Sequence, residues 1–210
     1  MLVQARDRTF RLVRQHDHAM AAGETAHAWR GAGSRARRAG GPVGRGLPFR
    51  LVLAVALHDV AWRELDRRPR LDPERGRPFR FDRHPLEEKL EAYRRGRDEM
   101  EAVDPWVGLL GSLHYSSFVG EDRAGDFLRR EKARRRRLLA GLGARPARDG
   151  AGGARPGASP ATGEGAGGEG GVPDVLARAR RRLAWLKFCD GLKSHINNTP
   201  PERPKGATPP

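Results

Sequence analysis

Apolar residues recur every three or four positions along most of the chain, which is the spacing of amphipathic α-helices. No segment alternates apolar and polar residues for long enough to predict a sheet. We therefore expect an all-α fold, with Asp17 as the N-cap of the first helix. The predicted helices cover residues 17–29, 49–66, 85–102, a segment that begins at 104–105, 124–142 and 173–196.

Two of these segments carry stronger local signals. The second helix is apolar on almost every side over 51–57, which predicts a position in the middle of the core. The fourth begins with Asp104 followed by Pro105, the combination of an N-cap residue and a proline at the first helical position.

A stretch rich in Gly, Ala and Pro interrupts the helical pattern over 143–172. Because it lacks periodicity, we expect a disordered, flexible insertion before the last helix. A long flexible loop adds little closure entropy, so the flanking helices can still be neighbours. The chain is thus predicted to form one helical domain over 1–198, with a disordered Pro-rich tail at 199–210.

Composition narrows the class of protein further. The formal charge of +15 is carried mainly by arginine in an Ala-, Gly- and Pro-rich chain, and no zinc-finger, RNP or KH pattern accompanies it. Nucleic acid is therefore not the expected partner. No signal-peptide core or membrane-spanning apolar run occurs, and one cysteine allows no intramolecular disulfide. These features predict a soluble cytoplasmic protein with no membrane association; they leave the oligomeric state open.

The candidate chemistry lies on the apolar faces of three predicted helices. His18 shares a face with Ala22 and Trp29, the pair His58 and Asp59 continues the buried second helix, and Asp190 extends an apolar stripe. A buried carboxylate is costly unless a partner compensates it. Two imidazoles and two carboxylates that converge would suit a divalent ion such as Mn, Fe, Ni, Co or Mg.

The order His, His-Asp, Asp on a helical background resembles the HD superfamily of metal-dependent phosphohydrolases. The strings that carry the resemblance are QHDHAMAAGETAHAW, LVLAVALHDVAW and LKFCDGL. The resemblance implies an HD-domain-like helical bundle in which His18, His58, Asp59 and Asp190 bind one or two metal ions. The combination of the first two of these strings with LDPERGRP, LLGSLHY and FCDGL is also similar to a bacterial family labelled domain of unknown function 3891.

The HD resemblance implies hydrolysis of a nucleotide or another phosphorylated small molecule. Asp59 would then hold both metal and attacking water, and His114 would protonate the leaving oxygen. For His114 a core position and a second-metal ligand remain open as alternatives. The candidate cations for substrate phosphate are Arg63, Arg94 and Lys187.

The alternative is a non-catalytic metal- or ligand-binding protein of the same architecture. It is favoured by Val60, Ala61 and Trp62, which stand where HD enzymes often have Gly-Lys after the pair.

Overall fold

A computed structural model describes residues 1–29, 47–143 and 172–198, with the side chains of Arg6 and 193–198 left out. Helices dominate the described part, as the apolar spacing predicted. The helices are α1 Gln15–Ala28, α2 Phe49–Leu57, α3 Arg63–Arg67, α4 Leu86–Val103, α5 Pro105–Ser116, α6 Glu121–Gly143 and α7 Val172–Asn198. The strands are β1 Leu2–Arg6, β2 Thr9–Val13, β3 Leu71–Asp72 and β4 Arg77–Pro78.

Helix α5 occupies the centre of the core. It packs against α2, α4, α6 and α7, and residues from Trp106 to Ser112 are all buried. Its start follows the predicted chemistry, because the Asp104 carboxylate accepts hydrogen bonds from the backbone N–H groups of Trp106 at 2.8 Å and Val107 at 3.4 Å. Helix α2, for which the central position was expected, is buried at Leu51, Ala54 and Val55, but Val52, Leu53, Ala56 and Leu57 remain partly exposed.

The predicted helix over 49–66 is interrupted in its middle. After α2 ends at Leu57, residues 58–59 form a turn, Val60–Trp62 form a short 3-10 helix, and α3 follows. The His58 ring donates from Nδ1 to the Val55 carbonyl at 2.6 Å. That carbonyl is the one residue 59 would bond to in a continuing helix, so the imidazole competes with the helical ladder.

The start of α1 is fixed by a residue from elsewhere in the chain. The helix begins at Gln15 rather than after Asp17, and the Gln15 backbone N–H donates to the Asp66 carboxylate at 2.5 Å. The prediction of Asp17 as N-cap is therefore wrong. Asp17 lies in the first turn and accepts from Arg14 at 2.7 Å.

A short antiparallel hairpin precedes α1, where no sheet was expected. Strands β1 and β2 pair from Leu2–Val13 to Arg6–Thr9, and Asp7 in the turn has φ +39. Aspartate tolerates this left-handed conformation better than most residues. Among the described side chains of this hairpin only Leu2 is buried, so its strands need no long apolar alternation and the sequence shows none.

The predicted insertion over 143–172 falls mainly outside the described residues, and so does the predicted tail at 199–210. Gly143 and Val172 themselves are the last residue of α6 and the first of α7. Among the described residues, no helix combines the length and the apolar character that crossing a membrane would require.

Candidate metal centre

Four side chains from distant parts of the chain converge on one point inside the bundle. His18 comes from α1, His58 and Asp59 from the turn after α2, and Asp190 from α7. One potential ligand atom from each lies within 4.8 Å of all the others. Two ligands on opposite sides of a divalent ion lie about 4 to 4.6 Å apart, so the spacing fits a single ion.

His18 reaches this point because one face of α1 carries mainly small residues. Ala19, Ala22 and Ala26 are fully buried, so α1 lies close against α2. The His18 side chain is itself fully buried, and its Nε2 atom lies 2.9 Å from Asp190 Oδ1. This contact joins the first and last helices of the described chain.

The tautomer of His58 follows from its hydrogen bond to the backbone. Because a carbonyl can only accept, the His58 Nδ1 atom bonded to Val55 carries a proton. In the neutral ring, the Nε2 atom then carries a lone pair that points at the cluster. That atom is buried, and no hydrogen-bond partner of good geometry lies within the described residues. It faces Asp59 Oδ2 at 3.3 Å and Asp190 Oδ1 at 3.4 Å.

The break in the helix allows His58 and Asp59 to face the same point. Consecutive residues of a regular helix project about 100° apart. Asp59 has φ −112 and ψ 18 instead, and its carboxylate turns back towards the His58 ring. The Gln15 amide donates to Asp59 Oδ2 at 3.3 Å and holds the carboxylate from the other side.

The charges within the cluster are strongly coupled. Burial alone would lower the pKa of His58, but the carboxylates of Asp59 and Asp190 outweigh it and raise the pKa to about 10. Burial would raise the pKa of Asp190, whereas its contacts with His18 and His58 bring that pKa well below the usual range. Two carboxylates facing two imidazoles thus favour positive charge between them, carried by a proton or by a metal cation.

Asp190 connects the cluster to solvent. Its neighbours Leu186 and Cys189 are buried in the core, yet the Asp190 side chain remains 24% exposed, against 8% or less for the other three. An ion would therefore reach the cluster past α7.

His114 lies directly behind His58. Its ring centroid is 5.1 Å from that of His58, the two rings are perpendicular, and the side chain is fully buried. Within the described chain, neither ring nitrogen has a hydrogen-bond partner. Burial, with the charge of His58, lowers the pKa of His114 to about 3, so the ring is neutral at physiological pH. Such a ring has an N–H and a lone pair left to offer a ligand.

The predicted phosphate contacts occupy different surroundings. Arg63 pairs with Glu99 at 2.9 Å, and Arg94 pairs with Glu91 at 3.0 Å. Lys187 is exposed on α7 one turn before Asp190, and its charge contributes to the lowered pKa of His114. Of the three, Lys187 is the one whose charge acts on His114, the residue behind the cluster.

One buried polar residue at the cluster was not expected from the sequence. Gln15 is 6% exposed and binds Asp59, but a glutamine at the first position of a helix carries no signal of its own. Its position three residues before His18, and hence on the same helix face, is the only pattern that pointed to it.

Comparison with known proteins gives a family without a described activity. The family model described as a protein of unknown function, DUF3891, matches residues 1–194. No curated protein and no solved structure matches the chain.

Proposed function

The chain belongs to the DUF3891 family, whose description names no activity, and from that premise we propose that it is a metal-dependent phosphohydrolase of the HD type. The substrate class we assign is a nucleotide or another phosphorylated small molecule. The observation that carries the proposal is the convergence of His18, His58, Asp59 and Asp190 inside the bundle.

The donor set fits a hard or borderline divalent ion, namely Mn, Fe, Ni, Co or Mg. His58 supports this assignment best, because its Nε2 atom is buried opposite two carboxylates without a partner of good geometry in the described chain. The two carboxylates favour positive charge at this point, and a bound cation would supply it in place of the proton that the raised pKa of His58 otherwise retains. The Val55 carbonyl orients the ring from behind, as is usual for histidines that bind metals.

The remaining chemistry belongs to the side chains around the cluster. A divalent ion held here would polarise a phosphoryl oxygen and make water a stronger nucleophile at neutral pH. Asp59, restrained by Gln15, would orient the attacking water through its carboxylate. His114, which is neutral at physiological pH, would hydrogen-bond the leaving oxygen through its N–H rather than protonate it. Lys187 would attract the substrate phosphate towards the exposed edge of the site.

A second candidate function is metal binding without hydrolysis. The residues after the His-Asp pair favour it, because Val60, Ala61 and Trp62 are buried at 4%, 6% and 2% exposure. This turn therefore offers no cation to a substrate phosphate.

The two functions can be separated with a panel of phosphoesters. The full-length protein, supplied in turn with Mn²⁺ or Mg²⁺, should hydrolyse at least one phosphomonoester or nucleotide, and chelation should stop the reaction. His58→Ala and Asp59→Ala should lose the activity. His27→Ala is the matched control, because His27 is exposed on the same helix as His18 and its substitution should leave the rate unchanged.

Two outcomes would redirect the proposal. If the wild type retains metal but hydrolyses no phosphoester in the panel, the non-catalytic alternative is favoured. If His58→Ala and Asp59→Ala hydrolyse as fast as His27→Ala, the cluster is not the active site.

A further inference from the structure

A cavity on another part of the molecule lies away from the four-residue cluster. It has a volume of about 650 Å³, which is within the usual range for small-molecule sites. Its walls come from the connection between β3 and α4, from the start of α4, and from the turn between α5 and α6. None of the four clustered side chains lines it.

Three cationic side chains of this cavity form no ion pair with another described residue. Arg83, Lys89 and Arg123 all line it, and in the described chain their side chains make no hydrogen bond or ion pair. Most other arginines of α4 and α6 do pair with acids: Arg94 and Arg95 with Glu91, and Arg134 and Arg137 with Glu101. The walls of this one cavity thus carry three cations that form no ion pair in the described chain.

The acids that line the cavity are already engaged by other groups. Asp72 accepts from the backbone N–H of Glu74 at 3.0 Å and pairs with Arg75 at 3.1 Å. Glu74 lies 3.6 Å from the same arginine, and Asp82 pairs with Arg80 at 3.2 Å. Each of these acids thus already has a partner, and none of them forms an ion pair with Arg83, Lys89 or Arg123.

The positive charge of Arg123 disfavours the charged form of Lys89. Burial lowers the pKa of Lys89, Asp82 opposes this effect, and the Arg123 charge lowers the pKa further. Like charges held together in a partly buried cavity are destabilising unless an anion binds between them.

Apolar groups complete the cavity and restrict the class of ligand. Phe79 and Phe118 line it together with the cations. Guanidinium and ammonium groups bind phosphate through charge-assisted hydrogen bonds, while aromatic walls accept a flat or apolar body. We propose that this cavity binds a phosphorylated small molecule, with Arg83, Lys89 and Arg123 holding its phosphate.

This inference goes beyond the proposed hydrolytic function, because the cavity needs neither the metal nor the four clustered residues. The two sites are nevertheless linked through one side chain. The Phe118 ring lines the cavity and contacts His114 edge to face at 4.7 Å, and His114 in turn contacts His58. A ligand that moves Phe118 would therefore also affect His114, which lies behind His58.

The test is a calorimetric titration of the full-length, chelator-treated protein with inorganic pyrophosphate at constant ionic strength. We expect binding to the wild type. Lys89→Gln and Arg123→Gln should each weaken it by about tenfold or more, as expected for loss of one charge-assisted contact. Arg136→Gln removes the same charge from an exposed arginine of α6 outside the cavity, so its affinity should be unchanged.

Further variants separate the two sites and guard against misfolding. His58→Ala should bind pyrophosphate as well as the wild type, whatever its activity. Arg83→Gln, an exposed position, provides a second test of the cavity if Lys89→Gln melts at a lower temperature. The proposal is overturned if pyrophosphate does not bind, if Arg136→Gln weakens binding as much as the cavity variants do, or if His58→Ala abolishes it.

Discussion

The Nε2 atom of His58 lies 3.3 Å from the Oδ2 atom of Asp59, although the two residues are adjacent in the chain. In a regular helix their side chains would diverge, so the contact depends on the end of α2 at Leu57 and on the 3-10 turn that follows. The backbone interruption is thus what makes the pair a potential chelating unit. The first prediction tests whether this pair binds a metal ion, and the others test the fold around it.

His58→Ala and Asp59→Ala should each lower the metal content of the purified protein while the helical circular dichroism stays close to that of the wild type. A metal site in a preformed bundle supplies chemistry more than folding energy. Asp59→Ala also removes a buried carboxylate, so its melting temperature can rise. Metal stoichiometry and melting temperature measured on both variants decide whether His58 and Asp59 bind metal or only support the fold. Full occupancy in both would exclude these residues as ligands.

Gly96→Ala should destabilise the protein by about 1 to 3 kcal/mol. A Cβ atom on Gly96 would lie 2.6 Å from the Cα atom of Ala61, so α4 would be pushed away from the turn that carries Asp59. This cost exceeds the gain of about 1 kcal/mol that alanine brings to a helix interior. Gly141→Ala is the control: nothing lies within 4 Å of its added Cβ, so denaturant unfolding should show a gain in stability.

Arg97 and Glu131 form an ion pair between α4 and α6, and their side chains are only 8% and 0% exposed. Arg97→Met alone should cost about 3 to 5 kcal/mol, because it leaves the Glu131 charge buried without its partner. The double variant with Glu131→Leu should recover most of that loss. Urea unfolding of both single variants and the double variant gives the coupling energy. Additive effects would show that the pair is not coupled.

Acidification should destabilise the protein in part through His84. Burial lowers the pKa of His84; the amino group of Met1 and the charges of Arg70 and Lys89 add to this, and Glu88 opposes it. A histidine with a lowered folded-state pKa stabilises the fold above its unfolded pKa of about 6.5, and this contribution is lost as the pH falls below that value.

Melting temperatures measured at about pH 7.5 and about pH 5.5, on either side of that pKa, provide the check. The fall on acidification should be smaller in His84→Gln than in the wild type. His27→Gln, an exposed position, should fall as the wild type does. An equal fall in melting temperature in all three proteins would show that His84 does not contribute to the destabilisation by acid.

Replacing 144–171 by a short Gly-Ser linker should preserve the fold. Gly143 and Val172 are already neighbours, since a Cβ atom on Gly143 would lie 3.3 Å from the Val172 side chain. A shorter closing segment also costs slightly less entropy. Thermal melting of the replacement variant should match that of the wild type. A large fall in melting temperature would show that the segment contributes to packing.

The sequence predicted the cluster of candidate ligands because each one continues an apolar helical pattern in which a polar group is unexpected. His18 among alanines and Asp190 beside Leu186 both follow from helical spacing alone. The same spacing predicted most helix bounds to within a few residues. The Asp104 N-cap was also predictable, since that signal lies within three consecutive residues.

What could not be predicted depends on contacts between distant segments. The first N–H of α1 is bound by Asp66, 51 residues away, and the buried charge of Arg97 is matched by Glu131 on another helix. Neither partner can be recognised from the local spacing of apolar residues. The break at His58 was hidden for another reason: the apolar pattern continues through it, and a side-chain hydrogen bond to Val55 does not alter that pattern.

The contact between His18 and Asp190 spans 172 positions, which sets an order on how the centre can be assembled. A chain that has formed α1, α2 and the turn after it already presents three of the four candidate ligands, but not the carboxylate of α7. Contacts of such long sequence separation form late, because the entropy of closing the chain must be met first. Tight binding of an ion would therefore require that α7 has docked, and only protein that has completed folding would bind the ion tightly.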